Sequence, residues 1–237
     1  MDKRNEVLIM RNVFTFLLLL LSIEVFAQQR PEEGIWTTVN LPVNLSSRWQ
    51  IHNDASLRTL SWGPALQQYL YRPGIRYLIN PSLSLTLGTA FFFTRTSFEK
   101  SNDEFGYEFR TWQEVLKKIE AKHETEFQLR FRSEQRFFRP TNDRPEGRTA
   151  NRYRLRGSVI RKICDQWSLQ ISEEYFRQVN FEKFEFDQNR VIITGIRHID
   201  QDTQLQLGYM WLKWPESSQH IFSIGYQKKL NFYGGKH

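Results

Sequence analysis

Glu124-Thr-Glu-Phe-Gln-Leu-Arg-Phe-Arg-Ser-Glu-Gln-Arg-Phe-Phe138 is the part of the sequence from which the fold class is inferred. At a period of two, one of its faces consists of apolar residues: Phe127, Leu129, Phe131 and Phe137. The other face carries charged and amide side chains. Strict alternation indicates a β-strand, because successive strand side chains point to opposite sides of a sheet. The stretch is about twice the usual strand length of roughly 5–6 residues, and long strands with one apolar and one polar face are typical of membrane-spanning barrels.

The same alternation continues from about Gly34 to Phe232 without a change in composition. Leu83–Phe93 is another clear example, with Leu and Phe opposite Ser, Thr and Gly. We therefore predict an all-β fold, a transmembrane antiparallel β-barrel of 10–12 strands. Ten strands are counted between Ser47 and Phe232. The segment 34–41 gives an odd number, so we expect either that it lies inside or beside the barrel or that the total is twelve.

The predicted connections alternate in length, as in outer-membrane barrels with short periplasmic turns and long outer loops. Short turns are expected at Asn80-Pro81, Lys118-Ile119, Cys164-Asp165 and Gln201-Asp202. Longer or breaker-rich connections are expected near Trp62, Glu99, Asp143, Glu182 and Pro215.

The N-terminal residues are typical of a secretory signal peptide. Lys3, Arg4 and Arg11 precede the apolar run Val13–Leu21, and Val25-Phe26-Ala27 forms a small-residue cleavage site. We predict a signal peptide over 1–27, a single barrel domain over 28–237, and export to the outer membrane of a Gram-negative envelope. Cys164 is the only cysteine, so no disulfide within the chain is available.

The chain has a net charge of +7, but its arginines alternate with apolar residues and do not cluster in blocks. This pattern argues against nucleic acid as a partner. We expect outer-membrane lipid and small anionic solutes as partners, and no cofactor.

The polar faces of the predicted strands supply the candidate site, a lumen lined by Arg and Glu. Its residues are Arg72, Arg76, Glu108, Arg110, Glu114, Arg130, Arg132, Glu134, Arg136, Arg152, Arg154, Arg156 and Arg190. Buried charges need partners, so one interpretation is a structural Arg–Glu network that fills a narrow barrel. The other is a narrow channel or binding barrel for anions, because rings of basic side chains favour anions.

Two further function classes are open. A rim hydrolase or acyl transferase needs a nucleophile beside a base oriented by a carboxylate. The best candidate is His52 with Asp54 and Ser56; further histidines near acids or serines are His123, His198 and His220. No catalytic motif and no metal-ligand spacing is found in the sequence. A soluble periplasmic ligand-binding barrel is the other alternative, with apolar residues inside and polar residues outside.

The chain also resembles the domain-of-unknown-function family 2490, which comprises uncharacterised bacterial outer-membrane barrels. The residues that carry the resemblance are Trp36, Glu134-Gln-Arg136, Arg152-Tyr-Arg-Leu-Arg156, Asp187-Gln-Asn-Arg190 and Leu207-Gly-Tyr209. The resemblance covers nearly all of the mature chain. It implies an outer-membrane barrel and transfers no catalytic residue.

Overall fold

Long β-strands make up most of the chain in the computed structural model, which describes residues 32–59, 65–95, 105–140, 146–180 and 183–232. The predicted signal peptide, 1–27, lies outside these residues. The strands are β1 (Glu32–Asn40), β2 (Val43–Asn44), β3 (Trp49–Thr59), β4 (Leu66–Asn80), β5 (Leu83–Arg95), β6 (Phe105–Ala121), β7 (Thr125–Phe138), β8 (Arg148–Cys164), β9 (Trp167–Asn180), β10 (Lys183–His198), β11 (Thr203–Lys213), β12 (Ser218–Lys228) and β13 (Leu230–Asn231). Within these described ranges, no helix is long and apolar enough to cross a membrane.

The sheet closes on itself into a barrel. Each strand from β3 to β12 pairs antiparallel with the next. β1 completes the wall, because it pairs antiparallel with β3 and parallel with β12. The two-residue strands β2 and β13 pair with each other and extend β1 and β12 toward one end. The wall therefore has eleven strands, within the predicted range, and we call the parallel β1–β12 pairing the seam.

The segment 34–41 is neither a plug nor a sign of a missing strand, so both expectations for it were wrong. It belongs to β1, in the wall, with Trp36 opposite Arg58 of β3 and level with Ser223 of β12. Strands joined by hairpins must be antiparallel, but β1 and β12 are not consecutive in the chain. The closing pair can therefore be parallel, and one parallel pair lets an odd number of strands form a closed barrel.

The connections fall into two groups at opposite ends of the barrel. The loop end is where β3, β5, β7, β9 and β11 end and the next strand begins. The longer connections predicted near Trp62, Glu99 and Asp143 lie outside the described residues, and the one near Pro215 is at 214–217. The turn end carries the connections 45–48, 81–82, 122–124, 165–166 and 199–202. Since β1 runs parallel to β12, it begins at the loop end.

Two predictions about the connections were wrong, one in position and one in length. The turn expected at Lys118-Ile119 lies at 122–124, where His123 and Glu124 have φ values of 60° and 52°. β6 continues to Ala121 because Ile119 keeps the outward apolar alternation, 53 % exposed between charged neighbours. The connection near Glu182 is short, since β9 and β10 pair up to Asn180 and Lys183.

Apolar side chains face outward and polar side chains face the lumen. On β7, Leu129 is 53 % exposed, whereas Glu134 is 2 % exposed. The outer surface also carries a small polar group, in which Gln135 hydrogen-bonds to Thr111 and Gln113. Strands β3 to β12 contain 11 to 17 residues, enough to span a bilayer, which needs about 9–11. This orientation is the reverse of a soluble ligand-binding barrel.

One indole anchors the apolar part of the lumen. Trp112 is 1 % exposed and packs beside Leu70, Ala90 and Phe92. Its Nε1–H donates to the carbonyl oxygen of Thr89 at 3.0 Å. Gly74 and Gly88 on the neighbouring strands leave room for the ring, because a Cβ on either would meet the indole.

Candidate functional site

All thirteen side chains of the predicted site lie on the lumen side of the wall. Their positions follow from the alternation, since inward residues on neighbouring strands share one register. Arg110, Arg136 and Ala150 are directly opposite one another, and so are Glu114, Arg132 and Arg154. The structure therefore brings the predicted set together.

The centre of the lumen is a network of buried ion pairs around Arg154. This guanidinium donates to Glu134 at 2.5 Å and to Glu174 at 2.8 Å. Arg110 also donates to Glu134, at 3.0 Å, and Arg130 to Glu174, at 2.6 Å. Both carboxylates are 2 % exposed. Charge-assisted bonds of this length are strong, and they hold the guanidiniums in fixed positions.

The network extends toward both ends. Toward the loop end, Glu108 accepts from Arg110 at 2.6 Å and from Arg136 at 2.5 Å. Toward the turn end, Glu114 accepts from Arg132 at 2.6 Å, and the Arg132 guanidinium lies 4.3 Å from the centre of the Trp112 ring. The predicted Arg–Glu pairing is therefore present in the lumen.

Further pairs line the wall. Arg72 donates to Asp54 at 2.8 Å, and Arg152 donates to Asp187 at 3.0 Å. Arg76 donates to the amide oxygen of Gln50 at 2.9 Å and lies 3.9 Å from Glu114.

The lumen arginines Arg58, Arg156 and Arg190 have no carboxylate within 4.0 Å among the residues that the structure describes. Arg58 donates to the side-chain oxygen of Gln68 at 2.7 Å. Arg190 donates to that of Gln188 at 3.1 Å, and Arg156 to hydroxyls at 3.1 and 3.2 Å. A cation with only neutral acceptors in a low-dielectric interior is under-compensated. These three arginines are the side chains best placed to meet an anion.

The lumen contains two cavities, of about 550 Å³ at the loop end and about 360 Å³ at the turn end. Both are lined by one shared layer of side chains: Trp36, Arg58, Arg72, Arg154 and Arg190. In the described chain, fourteen Arg and five Asp or Glu residues line the cavities. Glu134 and Asp187, which pair with these arginines, raise the acids to seven, so the lining carries excess positive charge.

The candidate catalytic histidines do not assemble an acid–base–nucleophile cluster in the described ranges. His52 lies edge-on to Trp112, with ring centroids 5.6 Å apart, and the Asp54 carboxylate is engaged by Arg72. His198 lies 3.0 Å from the Ser168 hydroxyl, whereas Asp200 accepts from the backbone N–H groups of Asp202 and Thr203.

The other two histidines also lie away from such a cluster. His220 contacts the Tyr209 hydroxyl, and His123 is exposed in a turn. No group of three or more possible metal ligands occurs among the described side chains.

Sequence reasoning missed several residues of the lumen. Glu174 was left out because the alternation was followed only to Ser172; continued by two residues, it would have predicted Glu174 beside Arg156. Arg58 and Trp36 were missed because their proximity depends on how β1 pairs with β3 across the closure. The sequence carries no signal for that pairing.

Comparison with known proteins gives a family and a structural likeness. A solved structure, the beta domain of the Bordetella autotransporter BrkA, is similar with a TM-score of 0.47 and 11 % identity, covering 77 % of this chain and 84 % of that one. No curated protein matches the chain. The sequence profile described as "Protein of unknown function (DUF2490)" matches residues 33–220. The chain therefore belongs to the DUF2490 family of proteins of unknown function.

Proposed function

We propose that this protein is an outer-membrane β-barrel whose positively charged lumen takes up small anionic solutes. An apolar outer surface and strands of 11 to 17 residues suit a bilayer. A lumen filled with charged side chains suits water and ions. Neither feature would be expected of a periplasmic carrier of apolar ligands.

The observation that carries the proposal is the set of lumen arginines that lack a carboxylate. Arg58 and Arg190 line both cavities, and Arg156 lines the cavity at the turn end. A purely structural network would be expected to balance its charges, because an uncompensated buried charge is costly. Excess guanidinium on the path between two cavities favours anions and repels cations.

The test is the ion selectivity of the purified protein in planar bilayers under a KCl gradient. If the lumen takes up anions, we expect small currents whose reversal potential has the same sign as the chloride equilibrium potential. Arg156→Gln should shift that potential toward zero. Arg197→Gln, the same change on an exposed residue of the outer surface, should leave it unchanged. Cation-selective currents would contradict the proposal.

A second candidate function is structural, and the Arg154 ion pairs favour it. Arg154 bridges two carboxylates in the layer shared by both cavities, and such a layer can close the lumen. A barrel that inserts into bilayers and conducts no ions would support this second function over uptake.

A further inference from the structure

Four lumen side chains from both sides of the seam converge on the cavity at the loop end. Trp36 comes from β1 and Arg58 from β3, directly opposite each other. Gln219 comes from β12, and Arg190 from β10; both are register partners of the buried Leu212 of β11. All four line the larger cavity. We call these four residues the seam cluster.

The seam cluster presents hydrogen-bond donors without acceptors. Trp36 Nε1, Arg58 Nε and Gln219 Nε2 are buried, and none has a hydrogen-bond partner in the described chain. Buried donors are normally satisfied, and leaving one unmade costs about 1–3 kcal/mol. Three such donors in one cavity lining therefore point to a ligand that supplies acceptor atoms.

The charges of the cluster point the same way. The guanidiniums of Arg58 and Arg190 lie 3.8 and 5.2 Å from the centre of the Trp36 ring. The ring faces offer only a weak attraction to each cation. Two like charges on one ring repel, and the carboxylates that act on Arg190, Glu174 and Glu134, are already engaged by Arg154. A negatively charged group close to both guanidiniums would relieve that repulsion.

We propose that the seam cluster is a binding site for one oxyanion group, a carboxylate or a phosphate, of a small organic acid. This inference rests on the proposed uptake of anions and names the site and the ligand group. An oxyanion has several acceptor lone pairs, so it can meet donors that diverge, and guanidiniums bind it with directed bonds. The cavity of about 550 Å³ leaves room for a larger body, against Leu212 and Phe92.

The position of the cluster adds a consequence for stability. Its donors come from strands on both sides of the β1–β12 seam, so a bound oxyanion bridges the place where the barrel closes. A ligand that binds the folded state alone stabilises it by RT ln(1 + [L]/Kd), so the unfolding temperature rises with the ligand concentration. Oxyanion binding is therefore measurable as stabilisation of the intact barrel.

The experiment is thermal unfolding of the purified full-length protein in detergent, titrated with inorganic phosphate, with acetate, or with chloride at equal ionic strength. We expect the unfolding temperature to rise with the concentration of phosphate or acetate, and by more than it does with chloride. The comparison of the phosphate titration with the acetate titration distinguishes a phosphate site from a carboxylate site. Isothermal titration calorimetry with the more effective ion gives its Kd.

Two variants test the assignment of the site. Trp36→Phe removes one N–H donor and keeps a ring, and Arg190→Gln removes one charge; each should weaken binding at least tenfold. Arg197→Gln on the outer surface is the matched control and should bind like the wild type. Each shift is measured against the variant's own ligand-free unfolding temperature. Should Arg190→Gln fail to fold, Trp36→Phe alone decides the assignment.

The inference is overturned if neither oxyanion exceeds chloride, or if both folded variants bind like the wild type. Its failure is distinct from failure of the proposed function. A barrel that binds oxyanions but conducts nothing in bilayers contradicts uptake and keeps the site. Anion-selective currents without saturable oxyanion binding keep uptake and remove the site.

Discussion

At the scale of single residues, the lumen is governed by the rule that buried charges must be paired. Glu134 lies at the centre, where it accepts from Arg110 and Arg154 while 2 % exposed. Breaking a buried pair by removing one partner costs about 3–5 kcal/mol, because the other charge stays buried without compensation. Glu134 is thus a key residue for stability.

Glu134→Gln should lower the free energy of unfolding by about 3–5 kcal/mol, because Arg110 and Arg154 each lose one of the two buried carboxylates that compensate their charge. The measurement is urea unfolding of the detergent-solubilised barrel. The matched control is Glu173→Gln, an exposed residue that hydrogen-bonds to Asn189 at 3.0 Å, where a change within about 0.5 kcal/mol is expected. Equal stability of the two variants would show that the central network is not formed as described.

Gly88 gives a second prediction for a single residue. A Cβ there would lie 2.6 Å from the carbonyl oxygen of Pro73 and against the Trp112 ring. Gly88→Ala should therefore destabilise the barrel by about 1–3 kcal/mol, the usual cost of overpacking. Gly157→Ala is the control, since a Cβ at that position meets nothing within 4 Å. Unfolding midpoints give the comparison, and a neutral Gly88→Ala would contradict the packing of Trp112.

At the scale of elements, the alternation predicted most strands and the side that each residue faces. It could do so because side-chain direction in a strand depends only on local parity. The alternation could not place the turn after β6. It continues through residues 117–122 and therefore does not show where the strand ends. The 122–124 turn depends on His123 and Glu124 adopting positive φ, a conformation uncommon for such residues.

The outward face of β7 provides the prediction at this scale. Phe131, near the middle of the strand, is 46 % exposed between Val115 and Leu155. In a bilayer, Phe131→Arg should cost about 2–4 kcal/mol and reduce the amount of folded barrel in the membrane fraction. Phe131→Leu should assemble normally. Normal assembly of the Arg variant would indicate that this face does not contact lipid.

For the whole molecule, the way in which the barrel closes could not be predicted from the sequence. The expectation of an even number of strands assumed that every pair of neighbouring strands is antiparallel. That assumption holds only for strands joined by hairpins. The alternation predicts which residues face the lumen. It does not predict which of them form ion pairs, because partners such as Arg130 and Glu174 lie 44 residues apart in the chain. The same closure creates the seam cluster, because it brings Trp36 and Arg58 face to face.

The most direct test of the account is therefore cysteine cross-linking across the seam, in a Cys164→Ser background. The parallel register places Thr37 beside Ile224 and Val39 beside Tyr226, within the reach of a disulfide. We predict that the membrane-embedded double variants Thr37→Cys with Ile224→Cys, and Val39→Cys with Tyr226→Cys, both cross-link. An antiparallel seam centred on the first pair would instead link Val39→Cys with Phe222→Cys. That result, or no cross-link from β1 to β12, would contradict the eleven-stranded closure.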